Sequence, residues 1–267
     1  MADEGTSKPT HLEPSELGTK EYWDNLYTRE ITNHTADPSD VGTIWFDDSS
    51  AEDKMVTFLR SYSPDLDLAR ASILDSGTGN GHMLFRLREE TVADSDDSDA
   101  EDAEDEGGNE KVFKGRMVGT DYSTKSIEFA RQVAENKGLG KGSEGEVEFA
   151  EWDILKSDPS ELLTREQTQG WDVVLDKGTF DAISLSDEKD AQGRRIVEGY
   201  KERIVPLMKK GGRLLITSCN WTEDELKGWF CDEEEGGLRF ERKIEYRSFS
   251  FGGKKGQTIS SCCFIKK

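Results

Sequence analysis

Cysteine and histidine are scarce in this sequence, and their positions argue against a metal centre. The four cysteines contain no C-x-x-C pair, and the three histidines lie far apart along the chain. A structural zinc site uses about four such ligands at short, regular spacings, so we expect no metal site. Thiols in this pattern are typical of reduced cysteines in an intracellular protein. The residues concerned are Cys219, Cys231, Cys262 and Cys263, with His11, His34 and His82.

Long apolar runs and basic residues are also lacking. No hydrophobic stretch approaches the roughly 20 residues of a membrane span, and residues 1–5 lack the basic and apolar parts of a signal peptide. The chain holds 35 Lys and Arg against 56 Asp and Glu, a formal net charge of -21. Binding to a phosphate backbone needs a basic face. We therefore expect no nucleic-acid partner, no membrane contact, a cytoplasmic location and attraction to a cationic protein partner.

The most informative segment that is present reads A-S-I-L-D-S-G-T-G-N-G-H, from 71 to 82. An apolar run ends at Asp75, glycines follow at alternate positions (Gly77, Gly79 and Gly81), and apolar residues then recur at helical spacing. This pattern predicts a strand, a tight turn and a helix whose first N–H groups face a nucleotide-type cofactor. The dinucleotide fingerprint G-x-G-x-x-G is not matched, because the third glycine comes one residue early. A tight turn without a ligand is the alternative interpretation.

A second apolar run, 116–121, ends at Asp121 and is followed by Tyr122. In nucleotide-binding α/β folds, an acid about 20 residues beyond the glycine turn binds the ribose hydroxyls. The separation from Gly81 to Asp121 is longer, but it approaches this spacing once an acidic insertion, 89–110, is left out. We therefore predict that Asp121 binds the ribose. The alternative is an exposed acid at the end of a strand.

The insertion is predicted to be a disordered surface loop. Residues 94–106 are nine acids, two serines and two alanines, so no apolar face can form. Residues 1–20 are interpreted as a disordered N-terminal tail.

The remaining chain alternates strand and helix patterns. Strand-like segments run over 146–153, 170–176 and 211–218. Two longer strands, 240–251 and 257–265, are joined by a glycine-rich turn and predict an antiparallel hairpin. These features predict an α/β fold with a Rossmann-like, mostly parallel sheet of seven strands and helices on both faces. Ligands of such sheets bind at the carboxyl ends of the strands, where four acids lie: Asp75, Asp121, Asp153 and Asp176.

Two motifs connect the chain to a known family. The D-x-G-x-G-x-G pattern from Asp75 to Gly81 resembles motif I of the class I S-adenosylmethionine methyltransferases, whose sheet has seven strands with the last one antiparallel. The string D-K-G-T-F-D-A-I-S-L, from 176 to 185, closely resembles the eukaryotic elongation factor 1-alpha lysine methyltransferases. Shorter matches at 22–24, 42–46 and 217–222 extend the likeness from about 22 to 229. Ser76, where the family usually has an aliphatic residue, is a departure that affects no named role.

The resemblance implies S-adenosyl-L-methionine as the cofactor and protein-lysine N-methylation as the activity, with elongation factor 1-alpha as the expected substrate. It places Asp75 near the methionine end of the cofactor. It places Asp153 at the adenine amino group, where a loop acid or N-cap is the alternative. The cofactor-binding residues predicted in this way are Asp75, Gly77, Gly79, Gly81, Asp121, Tyr122, Asp153 and Trp45.

For catalysis, the resemblance points to the segment that follows the fourth strand. An in-line methyl transfer needs a neutral, aligned amine, so positioning and desolvation supply most of the effect. We predict that Asp176 holds the amine and that Phe180, with Trp45 and Phe46, lines its channel, since aromatic rings suit a cationic or partly methylated amine. Core packing is the alternative for Trp45 and Phe46, and Lys177 is interpreted as structural.

These inferences give one methyltransferase domain, 21–267, with an N-terminal lid segment, 21–62, and we expect a monomer. Two other functions remain open. A small-molecule methyltransferase of the same fold would share the cofactor motifs alone. A non-catalytic scaffold would bind S-adenosylmethionine without turnover.

Overall fold

The computed structural model describes residues 9–62, 65–89, 113–232, 235–247, 249–251, 254–256 and 258–267. The predicted acidic loop, 94–106, lies outside these residues, as does all of the insertion except Glu89. Residues 1–8 of the predicted tail lie outside them as well. Across the described ranges, none of the helices combines the length and the apolar composition that crossing a bilayer requires.

Seven of the described strands form one mixed sheet. In all, the described residues contain nine strands: β1 (Ile73–Ser76), β2 (Met117–Asp121), β3 (Glu148–Glu151), β4 (Trp171–Lys177), β5 (Met208–Ser218), β6 (Leu238–Ile244), β7 (Phe249–Phe251), β8 (Lys254–Gly256) and β9 (Ser260–Lys266). The sheet order is β3-β2-β1-β4-β5-β9-β6, and β7 pairs separately with β8. Neighbours from β3 to β5 are parallel, whereas β9 is antiparallel to both β5 and β6. The predicted seven-stranded α/β sheet with antiparallel C-terminal strands is confirmed.

Some helices in the described residues begin at side-chain caps. The helices are α1 (Lys20–Ala36), α2 (Ala51–Arg60), α3 (His82–Glu89), α4 (Thr124–Asn136), α5 (Thr179–Ser184), α6 (Tyr200–Ile204) and α7 (Glu223–Phe230). Ser123 caps α4 by accepting the N–H of Ser126. Thr222 and Glu225 form a capping box at the start of α7. Each cap satisfies backbone donors shortly beyond the end of a strand.

Alternate side chains of the central strands face two separate cores. In β1, Ile73 packs with apolar residues of α1 to α4, whereas Leu74 packs with those of α5 to α7. In β4, Val173 and Leu175 join the first core and Val174 joins the second. Because successive strand residues point to opposite faces, helices cover both faces of the sheet, as predicted.

Two segments differ from the predicted pattern. The strand expected over 240–251 is divided into β6 and β7, because Ile244 pairs with Ser261 near the start of β9 and the pairing with the main sheet ends there. From residue 9 onward, the predicted tail packs on the domain. The Ser15 N–H donates to the Leu185 carbonyl at 3.0 Å, and the His11 ring lies 6.1 Å from the ring of Trp229.

Candidate active site

A cavity lies at the carboxyl ends of β1, β2 and β4, where ligands of open parallel sheets bind. Its lining comes from the glycine turn after β1, the residues that follow β2, β3 and β4, and the aromatic side chains of α1 and of segment 43–46. Seven of the eight predicted cofactor-binding residues line this cavity, and Gly81 is the exception. The fold therefore brings together residues that are far apart in the sequence.

The glycine turn has a left-handed backbone at three positions, with φ of 71° at Gly77, 58° at Gly79 and 80° at Gly81. A Cβ on Gly79 would lie 2.7 Å from the Tyr27 hydroxyl oxygen, so this glycine borders the cavity. A Cβ on Gly81 would instead lie 2.7 Å from the ring of Phe149. Gly81 thus permits close packing of α3 against β3. Gly81, which is predicted to lie beneath the cofactor, lies against Phe149 and is not in the cavity lining.

Asp75 is a buried acid of the cavity, with 3% of its surface exposed. Its carboxylate accepts a hydrogen bond from the Thr78 hydroxyl at 2.8 Å. Burial raises the pKa of this carboxyl to about 6, although the bond from Thr78 acts in the opposite direction. A titratable group with a pKa shifted towards neutrality in a cavity is typical of a functional site.

Asp121 joins the end of β2 to the glycine turn. One oxygen of its carboxylate accepts the Ser123 N–H at 2.9 Å, and the other accepts the Gly79 N–H at 3.2 Å. Burial raises the pKa of this carboxyl, against the effect of these bonds. A carboxylate has about four acceptor positions, so Asp121 can also accept ribose hydroxyls. The neighbouring Tyr122 ring lies beneath the Lys20 ammonium, 5.5 Å from ring centroid to Nζ.

Asp153 borders the cavity and also stabilises a local turn. Its carboxylate accepts the N–H of Leu155 at 2.9 Å and lies 3.7 Å from the ammonium of Lys156. The role of a loop acid, considered as an alternative, is therefore present, and the side chain remains in the cavity lining.

Trp45 and Phe46 both line the cavity, and Phe46 also packs against the first core. The Trp45 ring lies 5.3 Å from that of Trp23 on α1, between centroids. Phe46 has a left-handed backbone, with φ of 65°, and a Cβ on Gly178 would lie 3.5 Å from its ring. This packing directs the Phe46 ring at the turn that precedes α5.

A buried ion pair holds this aromatic segment. The Lys177 ammonium lies 3.2 Å from the Glu52 carboxylate and donates to the Trp45 carbonyl at 3.2 Å. Burial of Glu52 opposes its ionisation, but the hydrogen bond from His82 and the charge of Lys177 lower its pKa. The structural role predicted for Lys177 agrees with these contacts.

Asp176, which is predicted to hold the amine, does not line the cavity. Its side chain is fully buried, and the carboxylate accepts the N–H groups of Thr179 at 2.8 Å and Phe180 at 3.1 Å and the hydroxyl of Tyr200 at 2.5 Å. Burial raises the pKa of this carboxyl to about 7. These bonds orient the start of α5.

The pleat of the sheet explains the different positions of Asp75 and Asp176. Asp75 pairs with Leu175, and Asp176 is one residue further along β4. Successive side chains alternate between faces, so Asp176 points towards the second core, where Tyr200 lies. Phe180, which is predicted to line the channel, belongs to the same core, with its ring 4.9 Å from that of Phe230, and it does not line the cavity.

Asp181 and Tyr27 also line the cavity, although the sequence motifs did not single them out. Asp181 is 5% exposed, accepts the Ser218 hydroxyl at 2.5 Å and the Cys219 N–H at 2.8 Å, and has a pKa raised by burial. The sequence feature that could have identified Asp181 is its place as the second acid of the D-K-G-T-F-D string. Tyr27 lies four residues after Trp23, which places both rings on one face of α1.

Comparisons with known proteins agree with this geometry. Residues 68–253 match a family model described as a methyltransferase domain. The chain is 38% identical over 259 residues to protein-lysine N-methyltransferase EFM4 of Saccharomyces cerevisiae, covering 96% of this chain and 97% of that protein. It is 31% identical over 265 residues to EEF1A lysine methyltransferase 2 of Homo sapiens, covering 99% and 93% respectively.

A solved structure of similar fold is the N-methyltransferase NodS of Bradyrhizobium japonicum in complex with S-adenosyl-L-homocysteine. The TM-score is 0.51, with 14% sequence identity, over 91% of this chain and 98% of that one. At this identity the likeness concerns the fold alone.

Proposed function

Because this chain belongs to the family of EFM4 and EEF1A lysine methyltransferase 2, as the resemblance predicted, we propose that it transfers methyl groups from S-adenosylmethionine to a lysine of elongation factor 1-alpha. On the structural side, one observation carries the proposal. Asp75, the glycine turn and Asp121 border a single cavity at adjacent strand ends. The similarity to named protein-lysine methyltransferases extends over nearly the whole chain.

The residues of the cavity fit the cofactor, which supplies a methyl group on a cationic sulfonium. Asp121 offers acceptor positions for ribose hydroxyls, and Asp75 is the acid for the methionine end. Because the glycines of the turn have no side chain, the cofactor can approach their backbone closely. We propose that segment 21–62 acts as the lid of this site. The cofactor-binding set is then Asp75, Gly77, Gly79, Asp121, Tyr122, Asp153 and Trp45.

The incoming amine needs an acceptor in the cavity, and Asp181 is better placed for this role than Asp176. Asp181 lines the cavity, and its carboxylate is held by Ser218 and Cys219. In this position it can accept an N–H of the substrate amine and turn the nitrogen lone pair towards the methyl group. Asp176 then acts as a positioning residue, since it holds the first N–H groups of α5.

The expected protein partner is consistent with the charge of the chain. A formal net charge of -21 favours encounter with a basic protein, because opposite charges steer association. We propose that the enzyme works as a monomer in the cytoplasm, where elongation factor 1-alpha acts.

The test is methyl transfer to purified elongation factor 1-alpha, with labelled cofactor and mass spectrometry of the product. We expect label on lysine. Asp181→Asn should lower kcat by about tenfold or more while affinity for S-adenosylhomocysteine is kept, as for an interaction made near the transition state. Asp224→Asn, at a side chain that is 96% exposed, serves as the control and should have wild-type activity.

Other outcomes separate the alternative functions. Methylation of small amines with an unmodified elongation factor would favour a small-molecule methyltransferase. Cofactor binding without any turnover, on protein or small amine, would favour a scaffold. Full activity of Asp181→Asn would remove Asp181 from the reaction without affecting the assignment of the substrate.

A further inference from the structure

The hydroxyl of Tyr27 is a donor at the cavity that the described part of the chain leaves unpaired. Tyr27 is 7% exposed and lines the cavity, yet its hydroxyl makes no hydrogen bond with any residue that the structure describes. Its oxygen lies 2.7 Å from the place where a Cβ of Gly79 would be. Other equally buried donors of the cavity are engaged: Thr78 donates to Asp75, and Asn80 donates to the Val41 carbonyl.

A hydroxyl that borders a cavity stays available to bond whatever occupies that cavity, water or a ligand. Burial and the nearby charge of Asp121 raise the pKa of Tyr27 well above its usual value, so the phenol keeps its proton. The group is thus a permanent donor directed into the cavity, and a ligand acceptor would satisfy it.

The helix that carries Tyr27 is fixed in place. The Trp23 indole donates to the Leu17 carbonyl at 2.8 Å, and the Ser123 hydroxyl donates to Asp24 at 2.6 Å. Glu30, three residues beyond Tyr27, accepts the hydroxyl of Thr43 at 2.8 Å. The donor is therefore preorganised, and little entropy is lost when it meets its acceptor.

We propose that the Tyr27 hydroxyl donates a hydrogen bond to the carboxylate of the methionine part of S-adenosylmethionine. This inference rests on the proposed function, in which S-adenosylmethionine is the cofactor. The acids Asp75 and Asp121 suit the cationic and hydroxyl groups of this cofactor. Its carboxylate is the anionic group and needs donors instead. A bond from Tyr27 supplies one of them and makes α1 a part of the cofactor site as well as a part of the proposed lid.

The experiment compares Tyr27→Phe with Tyr200→Phe by calorimetric titration with S-adenosylhomocysteine and by thermal unfolding without ligand. Tyr27→Phe should weaken binding by about tenfold or more, since a hydrogen bond to a charged group is lost. Its unfolding temperature should stay at the wild-type value, because the described part of the chain gives the hydroxyl no partner. Tyr200→Phe loses a buried bond to Asp176 and should show the reverse: a lower unfolding temperature and wild-type affinity.

A second ligand identifies the acceptor. Decarboxylated S-adenosylmethionine lacks the carboxylate, so wild type and Tyr27→Phe should bind it equally. An equal loss of affinity for both ligands would mean that Tyr27 bonds to another part of the cofactor, and it would overturn the proposal. Unchanged affinity of Tyr27→Phe for S-adenosylhomocysteine would overturn it as well. These titrations contain no protein substrate, so a wrong substrate leaves them unaffected, whereas a wild-type protein that binds neither ligand would refute the proposed function itself.

Discussion

Among the acids at the ends of the strands, Asp121 has the most clearly defined place in the cavity. Two backbone N–H groups hold its carboxylate while acceptor positions remain for ribose hydroxyls. Asp121→Asn keeps the volume and removes the charge, so affinity for S-adenosylhomocysteine should fall by about tenfold or more with the fold retained. Calorimetry measures this, with Asp67→Asn, at a side chain that is 63% exposed, as the control. Unchanged affinity would exclude the ribose role.

Asp176 should make stability depend on pH in a direction opposite to that of most acids. Burial raises its pKa to about 7 in the folded protein, compared with about 3.9 for an unperturbed aspartate. The folded state therefore keeps a proton that the unfolded state releases. The stabilising contribution is complete below about pH 4 and is lost as the pH rises to about 7.

Asn at this position does not titrate, so Asp176→Asn isolates the effect from that of other acids. The free energy of unfolding of the wild type, relative to Asp176→Asn, should decrease between about pH 4 and pH 7. Urea unfolding at several pH values in this interval measures it. A difference that is independent of pH would mean that Asp176 is ionised throughout.

At this scale, sequence identified the residue types but not their orientation. Asp75, Asp121 and Asp176 all follow apolar runs, and nothing in the chain alone gives the register of β1 against β4. That register places Asp176 on the opposite face from Asp75. Tyr27 was missed because an aromatic residue at helical spacing is equally typical of a core.

Among the elements, α7 allows a direct test of a cap. The Thr222 oxygen accepts the Glu225 N–H at 3.4 Å, and the Glu225 carboxylate accepts the Thr222 N–H at 2.9 Å. Thr222→Ala should lower the free energy of unfolding by about 1 kcal/mol, because the first turn of α7 loses its acceptor.

The matched control is Thr28→Ala in the middle of α1. That hydroxyl donates to the Asp24 carbonyl one turn earlier, and alanine favours a helix interior, so stability should change little. Chemical denaturation measures both variants. Equal effects of the two substitutions would show that the capping box does not stabilise α7.

Local signals predicted elements better than their pairing. The caps at Ser123 and Thr222 depend only on residues within one helical turn, so they are local features of the chain. The division of the strand expected over 240–251 depends on where β9 starts, which is a distant partner. The packing of residues 9–19 depends on contacts with α5 and α7 in the same way.

At the scale of the whole molecule, two variants of the acidic insertion separate the effect of its charge from the effect of its length. Deleting 94–106 removes nine acids and leaves 90–93 and 107–112 to connect α3 with the buried Phe113. Loop closure depends only weakly on length, so the unfolding temperature and cofactor affinity should stay nearly constant.

Association with elongation factor 1-alpha should instead slow at low salt, because the steering charge is smaller. Replacing 94–106 by an equally long Gly-Ser sequence should have the same effect, which assigns it to charge. A large loss of thermal stability in either variant would show that the segment packs on the domain.

Two of the indole rings that line the cavity, those of Trp23 and Trp45, lie 5.3 Å apart between centroids. Indole emission depends on polarity and on nearby quenching groups, so this pair gives the protein an intrinsic optical signal for occupation of its site. A purine that enters the cavity should change the emission of these rings without any attached dye. Stopped-flow fluorescence of wild type, Trp23→Phe and Trp45→Phe would then follow the binding of the cofactor and the release of the product in real time. It would show which of these two steps limits the rate of turnover.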